Sequence, residues 1–351
     1  MRRVDHGFPD HARRSTEMRA AFIERTGPPE VIQLGDLPDP RPAPHEVLVQ
    51  VRAAAVNPID TYVRSGAVAM PLPLPFVVGC DLAGEVVAVG EAASGLRIGD
   101  RVWGSNQGLL GRQGTCAERA AVDARWLYPT PACVSDRDAA AAALVGITAH
   151  LGLVTHAGLQ AGETIFVSGG SGGVGTMVVQ IAKRLGARVI ATASGEVAAA
   201  RVAAFGADQV IDRRALSPAP DALARAVLAT SPGGVDVVWE TLREPDLDAA
   251  VTMLADRGRI VLMAGREARP AFPVGPFYVK QASLKGFVMF KASWQEQAAA
   301  AADVARWMTA GLRAPIGVVL PLAETAAAHR LQEQGTIGRT GGLAGKIVIE
   351  P

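Results

Sequence analysis

The sequence predicts an α/β protein in which a doubly wound parallel sheet is inserted in a second, β-rich domain. Three observations predict it. Residues 164–195 read TIFVSGGSGGVGTMVVQIAKRLGARVIATASG, an apolar run that breaks into a glycine cluster and resumes with helical spacing. Strand-like runs then recur at 209–212, 235–240, 258–265 and 282–287, alternating with helical segments such as 221–230 and 247–255. Such alternation is the signature of a parallel sheet covered on both faces. The glycine cluster also lies mid-chain, between segments of quite different texture.

The polar residues 1–17, MRRVDHGFPDHARRSTE, lack an apolar core and do not read as a signal peptide. Asp5, Asp10 and Glu17 oppose a transit peptide. The expectation is a disordered extension, or a start codon placed too early, with the fold beginning near Met18. Residues 18–140 carry short β-rich runs, EVLVQVRAAAV, AGEVVAVG and DRVWG, punctuated by proline and glycine. The proline-rich 37–44 reads as a surface connection between two strands. Residues 145–286 form the doubly wound sheet. A helix at 295–310 and the strand-like IGVVLPL and GKIVIE follow, and this tail is expected to return and complete the first domain. The division is therefore 18–144 with 287–351 for the β-rich domain, and 145–286 for the inserted one.

The glycine cluster carries the chemistry. Residues 164–168 read as a buried strand, and Val174, Met177, Val178, Ile181, Ala182 and Leu185 recur at helical spacing. Lys183 and Arg184 fall in the last turn and Gly186 stops the helix. Gly170, Gly172 and Gly175 thus form GxGxxG at a strand-to-helix turn, with Ser171, Gly173 and Val174 completing the loop. Glycine allows the tight turn, with a positive φ where needed, and lets backbone N–H groups approach a pyrophosphate. A dinucleotide without a 2′-phosphate is usually held by an acid about 20 residues on. Here that place reads ATASG, with Thr192 and Ser194 and no carboxylate, which favours NADPH. Arg213 and Arg214 follow the third strand within possible reach of a 2′-phosphate; a solvated arginine pair is the other reading. Glu196 lies close by and opposes a phosphate.

Composition excludes several classes. With 35 basic and 34 acidic side chains there is no basic surface for nucleic acid or an anionic membrane. No apolar run approaches the roughly 20 residues that span a bilayer. Cys80, Cys116 and Cys133 are widely spaced and suit a reducing, cytoplasmic compartment. The last strand of the sheet, 283–287, is an edge with one charge, Lys285, and predicts a homodimer joined there.

AVNPIDTYVRSG, LPFVVGCDLAGEVVAVG, GDRVWG, LVGITAHLGL, VSGGSGGVGTMVVQIAKRLGA and GKIVI stand in the order found in the quinone oxidoreductases. The chain resembles this zinc-independent, zeta-crystallin-like branch of the medium-chain dehydrogenases/reductases over residues 18–351. The resemblance implies a GroES-like catalytic domain around a Rossmann cofactor domain, and NADPH-dependent reduction of quinones. In zinc-dependent relatives a Cys, a His followed by Glu, and a second Cys hold the metal. The matching places here are Asn57, Cys80 followed by Asp81, and a position near Val145, so no metal site is expected. By the same resemblance Asn57 and Tyr62 line the acceptor pocket, and Asp60 fixes the loop. Tyr62 either bonds the acceptor oxygen, supplies a proton, or is an aromatic packing residue. Thr148 contacts the nicotinamide; a place at a helix N-terminus is its other reading. Lys346 reaches the cofactor or lies on the surface. Two departures stand out: Ala198 where many relatives have a phosphate-binding lysine, and Cys116 in place of a tyrosine near the cleft.

Two other functions remain open at this point. One is reduction of α,β-unsaturated carbonyls or enoyl thioesters. The other is a structural or RNA-associating protein that retains a cofactor fold, which near-neutral charge and an intact glycine loop disfavour.

Overall fold

This computed structural model describes residues 17–337 and 344–351. The extension expected at residues 1–17 lies outside the described residues except for Glu17, which already opens a strand. That strand, β1 (Glu17–Ile23), pairs with β2 (Gln33–Pro38) and, later, with β4 (Phe76–Val77) in a small sheet. Between β2 and β4 come β3 (Glu46–Val56) and α1 (Pro58–Ser65). The chain continues as β5 (Asp81–Val89), β6 (Arg101–Gly104), β7 (Arg119–Asp123) and β8 (Leu127–Pro129). In β3 the alternation of a half-buried strand is visible, with Val47, Val49 and Val51 buried between less buried neighbours.

Helix α2 (Asp136–His150) leads into the parallel sheet. Ser135 caps it, its hydroxyl accepting from the Asp138 N–H, and acids occupy the first turn. A run of alanines, Ala139 to Ala143, is wholly buried and lets neighbouring elements approach closely. The helix continues as a π-helical turn over Leu151–His156. Contrary to the expectation from hydropathy, the combined segment Asp136–His156 is long and apolar enough to cross a membrane. It is mostly buried inside the protein, which is what its apolarity serves here. Gly152 fits beneath Trp239, because a Cβ there would lie 2.1 Å from the indole ring.

The parallel sheet is built from β9 (Thr164–Val167), β10 (Arg188–Ala193), β11 (Gln209–Asp212), β12 (Val235–Glu240), β13 (Leu254–Leu262) and β14 (Ser283–Gly286). Interleaved are α3 (Gly173–Arg184), α4 (Glu196–Ala204), α5 (Ala222–Thr230), α6 (Leu247–Met253) and α7 (Val274–Val279). All five pairings are parallel, in the order β11-β10-β9-β12-β13-β14. That is the order of a dinucleotide-binding sheet, whose ligand crevice opens at the carboxyl ends of the strands where the order reverses. The reversal falls between β9 and β12.

The tail returns as expected. After α8 (Trp294–Thr309) come β15 (Ile316–Pro321), α9 (Thr325–Thr336) and β16 (Lys346–Glu350). Strand β16 inserts between β15 and β3, giving a second sheet ordered β15-β16-β3-β5-β6-β8, with β7 also on β3. The register sets Ile347 opposite Val56, so Lys346 arrives beside Asn57.

Candidate active site

The glycine loop divides its labour among residues. Gly169 is the left-handed one, at φ 75°, and a Cβ there would meet the Thr241 hydroxyl at 2.6 Å. A Cβ on Gly170 would come within 2.9 Å of the Ala191 Cβ, and one on Gly175 within 2.1 Å of the Gly169 carbonyl oxygen. Those two allow the helix to pack on the strand. Gly172 differs: at φ −75° it has ordinary backbone, not the positive φ anticipated for the turn, and an added Cβ would meet only the Gly169 oxygen at 3.4 Å. It faces open space, ahead of the N–H groups of Gly173 and Val174 in the first turn of α3, for which the helix itself offers no acceptor. Half-buried Ser171 stands beside it. This cradle fits a pyrophosphate.

Thr192 corrects one expectation. It is fully buried, its hydroxyl accepts from the Gly169 N–H at 2.9 Å, and its carbonyl accepts from Gly170 N–H at 2.9 Å. It holds the loop in place and has no face left for a ligand. Ser194, the next residue but one, is exposed.

The two arginines after β11 separate. The Asp212 carboxylate accepts from the N–H groups of Gly195 and Arg214, at 2.8 and 2.9 Å, and these bonds hold it below the usual carboxylate range. The Arg214 guanidinium covers Gly195, where a Cβ would lie 3.0 Å from its Nη1. Arg213 instead favours the ionised form of Glu240, a carboxyl that burial pushes upward. Both arginines lie in the turn after β11, and of the two it is Arg214 that packs against Gly195, next to Ser194 at the end of β10.

In the β-rich domain, Asn57 occupies the centre of a buried polar chain. Its Nδ2 donates to Asp81 Oδ2 at 2.8 Å and to the Ala55 carbonyl at 3.2 Å. Its Oδ1 accepts from the Lys346 ammonium, which also donates to the Val56 carbonyl at 2.8 Å. Asp60, at the third position of α1, accepts from the Asn57 N–H at 2.7 Å and so fixes the loop, half of a capping box. Lys346 is therefore not a surface residue: it is 5% exposed, with its ammonium bound to Val56 and Asn57 in the β-rich domain. Its stem passes the loop, since a Cβ on Gly173 would lie 3.7 Å from Lys346 Cδ.

Burial governs the ionisation of this group. It raises Asp60 to about 7, aided by repulsion from Asp81. It also raises Asp81, against the pull of Lys346, and lowers Lys346 itself. The Cys80 thiol is pushed far up by burial and by both carboxylates, and Cys116 is likewise buried and raised. Burial thus favours the neutral thiol at both cysteines. Among the described residues no group of three or more His, Cys, Asp or Glu side chains is arranged to hold a metal.

Tyr62 is half-buried on α1, with the Arg266 guanidinium 5.8 Å from its ring centroid. Arg266, from the loop after β13, also donates to the Ala67 carbonyl and so bridges the two domains. Thr148 lies inside α2, not at a helix N-terminus; it is buried and its hydroxyl has no partner among the described residues. Sequence reasoning missed Arg266, whose contact depends on domain packing, and gave no role to Ser105 and Asn106.

The comparisons with known proteins agree with this architecture. A model for the alcohol dehydrogenase GroES-like domain matches residues 43–132, and one for zinc-binding dehydrogenase matches residues 173–305. The human quinone oxidoreductase is 32% identical over 95% of this chain and 97% of its own length. The chain belongs to the quinone oxidoreductase family of medium-chain dehydrogenases/reductases. It is an oxidoreductase with a pyridine-nucleotide fold acting on small molecules. The tomato (Solanum lycopersicum) 2-methylene-furan-3-one reductase is 33% identical over 73% of this chain and 65% of its own. A mycobacterial structure complexed with NADPH superposes with a TM-score of 0.82 at 31% identity, covering 95% of this chain and 100% of that one.

The loop geometry separates two glycine substitutions. Gly172→Val is expected to unfold at the wild-type urea midpoint and to lose NADPH binding in a fluorescence titration, because its side chain fills the phosphate's place. Gly175→Ala is expected to lose about 1–3 kcal/mol of stability, because its Cβ has nowhere to go. Undiminished NADPH binding by Gly172→Val would mean that the loop is not the phosphate site.

Proposed function

We propose that this enzyme reduces quinones with NADPH and without a metal. The observation that carries the reading is the polar chain Lys346–Asn57–Asp81, which engages Asn57 at one place matching a metal ligand of zinc-dependent relatives and lies beside Cys80 at another. One neutral thiol, an amide already committed on both sides and a carboxylate facing an ammonium are not a zinc donor set. Without a Lewis acid, the favoured acceptor is one that is already electrophilic.

A reduced nicotinamide, when bound, supplies a hydride, which the acceptor takes together with one proton. The chain's residues do the rest. The N–H groups of Gly173 and Val174, with Ser171, hold the pyrophosphate, and Ser194 with Arg214 receives a 2′-phosphate. Thr148 offers its free hydroxyl to the nicotinamide. Asn57, with no unpaired atom, orients the pocket without touching the acceptor, and Tyr62 is the candidate donor to the acceptor oxygen. A second reading, reduction of an activated C=C, is favoured by the likeness to the furanone reductase.

Steady-state assays with 1,4-benzoquinone, 9,10-phenanthrenequinone, 2-alkenals and crotonyl-CoA, each with NADPH and NADH, test both readings. Quinone turnover with NADPH, maintained in strong chelator, is the expected result. Arg214→Ala is expected to erode the preference for NADPH by about tenfold, the scale of one charge-assisted hydrogen bond. One tightly held zinc per chain, or a preference for NADH, would contradict the reading.

We also propose a homodimer joined at β14. This strand ends the parallel sheet, with Leu284 40% exposed. The adjacent α7 leaves Val274, Tyr278 and Val279 each more than 60% exposed, so the edge lies beside an uncovered apolar patch. Pairing the same edge in two copies closes a two-fold interface. Light scattering at micromolar concentration should show a dimer, and Leu284→Glu should shift it toward monomer. A monomeric wild type would refute the assembly.

A further inference from the structure

The loop after β6 holds a side chain that the fold does not explain. Asn106 is 1% exposed, yet neither its Nδ2 nor its Oδ1 has a hydrogen-bond partner among the described residues. Buried polar groups are almost always paired, and an unpaired amide is costly on both its donor and its acceptor side. Its backbone is unusual too. At φ 71° it occupies the left-handed region, which asparagine tolerates better than most residues but still at a cost.

That conformation is held from both sides. The Arg112 guanidinium donates through Nε to the Asn106 carbonyl at 2.8 Å, and is itself fixed over Trp126, 5.3 Å from the ring centroid. The Gln107 N–H donates to the Cys80 carbonyl at 3.2 Å, and Gln107 Nε2 to the Ser105 carbonyl at 3.2 Å. The register of β5 and β6 sets Gly104 opposite Leu82, so Ser105 and Asn106 run alongside Asp81 and Cys80. The strained, unpaired amide is thus pinned at the edge of the Asn57–Asp81 chain. Local strain and unpaired polarity maintained together are features of binding sites rather than of packing.

We propose that Asn106 is an acceptor-binding residue: its Nδ2 donates to the acceptor's carbonyl oxygen, where negative charge grows as the acceptor is reduced. This rests on the reading of the enzyme as a reductase of quinones or activated enones. A donor fixed in advance, in a place closed to water, stabilises such charge without having to reorganise. Asn57 cannot serve, because its amide is fully engaged. The same carboxamide offers Oδ1 to the hydroxyl of a hydroquinone product.

Asn106→Gly is the decisive variant, because glycine accepts the backbone angle and removes the amide. The measurements are kcat/KM for 1,4-benzoquinone, the Kd for NADPH by fluorescence, and the urea midpoint of the free protein. The expected result is a fall in kcat/KM of about 10²-fold, with the NADPH Kd unchanged and the midpoint equal to or above wild type. A merely structural asparagine would lower the midpoint when removed. Unchanged kcat/KM, as for an amide satisfied only by a buried water, overturns the proposal, and so does a lost or weakened fold. A wild type that reduces none of the acceptors would overturn the functional reading and this inference together. An active wild type with an unaffected variant overturns this inference alone.

Discussion

The site depends on one interaction: the Asn57 amide held between the Lys346 ammonium on its oxygen and the Asp81 carboxylate on its nitrogen. Each charge polarises the amide in the sense that strengthens the other hydrogen bond. Neither charge could remain in so dry a place alone, since breaking a buried pair from one side typically costs about 3–5 kcal/mol. The chain can assemble this group only by long-range pairing. Lys346 opens β16, Asn57 follows β3 and Asp81 opens β5, and the sheet order β16-β3-β5 makes them neighbours.

The same lysine ties the site to the cofactor loop. Its stem lies beside Gly173, the first residue of α3, while its head lies in the β-rich domain. Arg266 makes a second crossing, from the loop after β13 to the ring of Tyr62 and the Ala67 carbonyl. The two connections join the cofactor domain to the β-rich one. Thr192, Gly169 and Thr241 support the loop from below by buried hydrogen bonds and close packing.

The parallel sheet was legible because its signals are local. Val235–Glu240 and Gln209–Asp212 have the expected bounds, and the glycine loop follows its strand and opens its helix as read. The return of the tail into the first sheet was legible as well. Side-chain destinations were not. Whether Lys346 faces solvent, cofactor or Asn57 depends on the register of a strand nearly 300 residues away in sequence. Arg213 and Arg214 are adjacent in sequence, and only the geometry after β11 decides which one covers Gly195. Thr192 read as a ligand contact because a hydroxyl at a strand end suits either role. Nothing local to SNQG signals the burial of Asn106, which comes from the surrounding chain. Segment 136–156 is apolar enough for a membrane, and its alanine-rich core reads equally as a buried helix.

The most direct test of this account is a double-mutant cycle on Lys346→Met and Asp81→Asn, read by urea unfolding. Each single variant should lose about 3–5 kcal/mol, because each leaves an opposite charge buried without its counterpart. The double variant should recover part of that loss, with a coupling of at least about 1 kcal/mol. Losses that add to within about 0.5 kcal/mol would mean that the two residues do not act through Asn57. The account of the site would then be wrong.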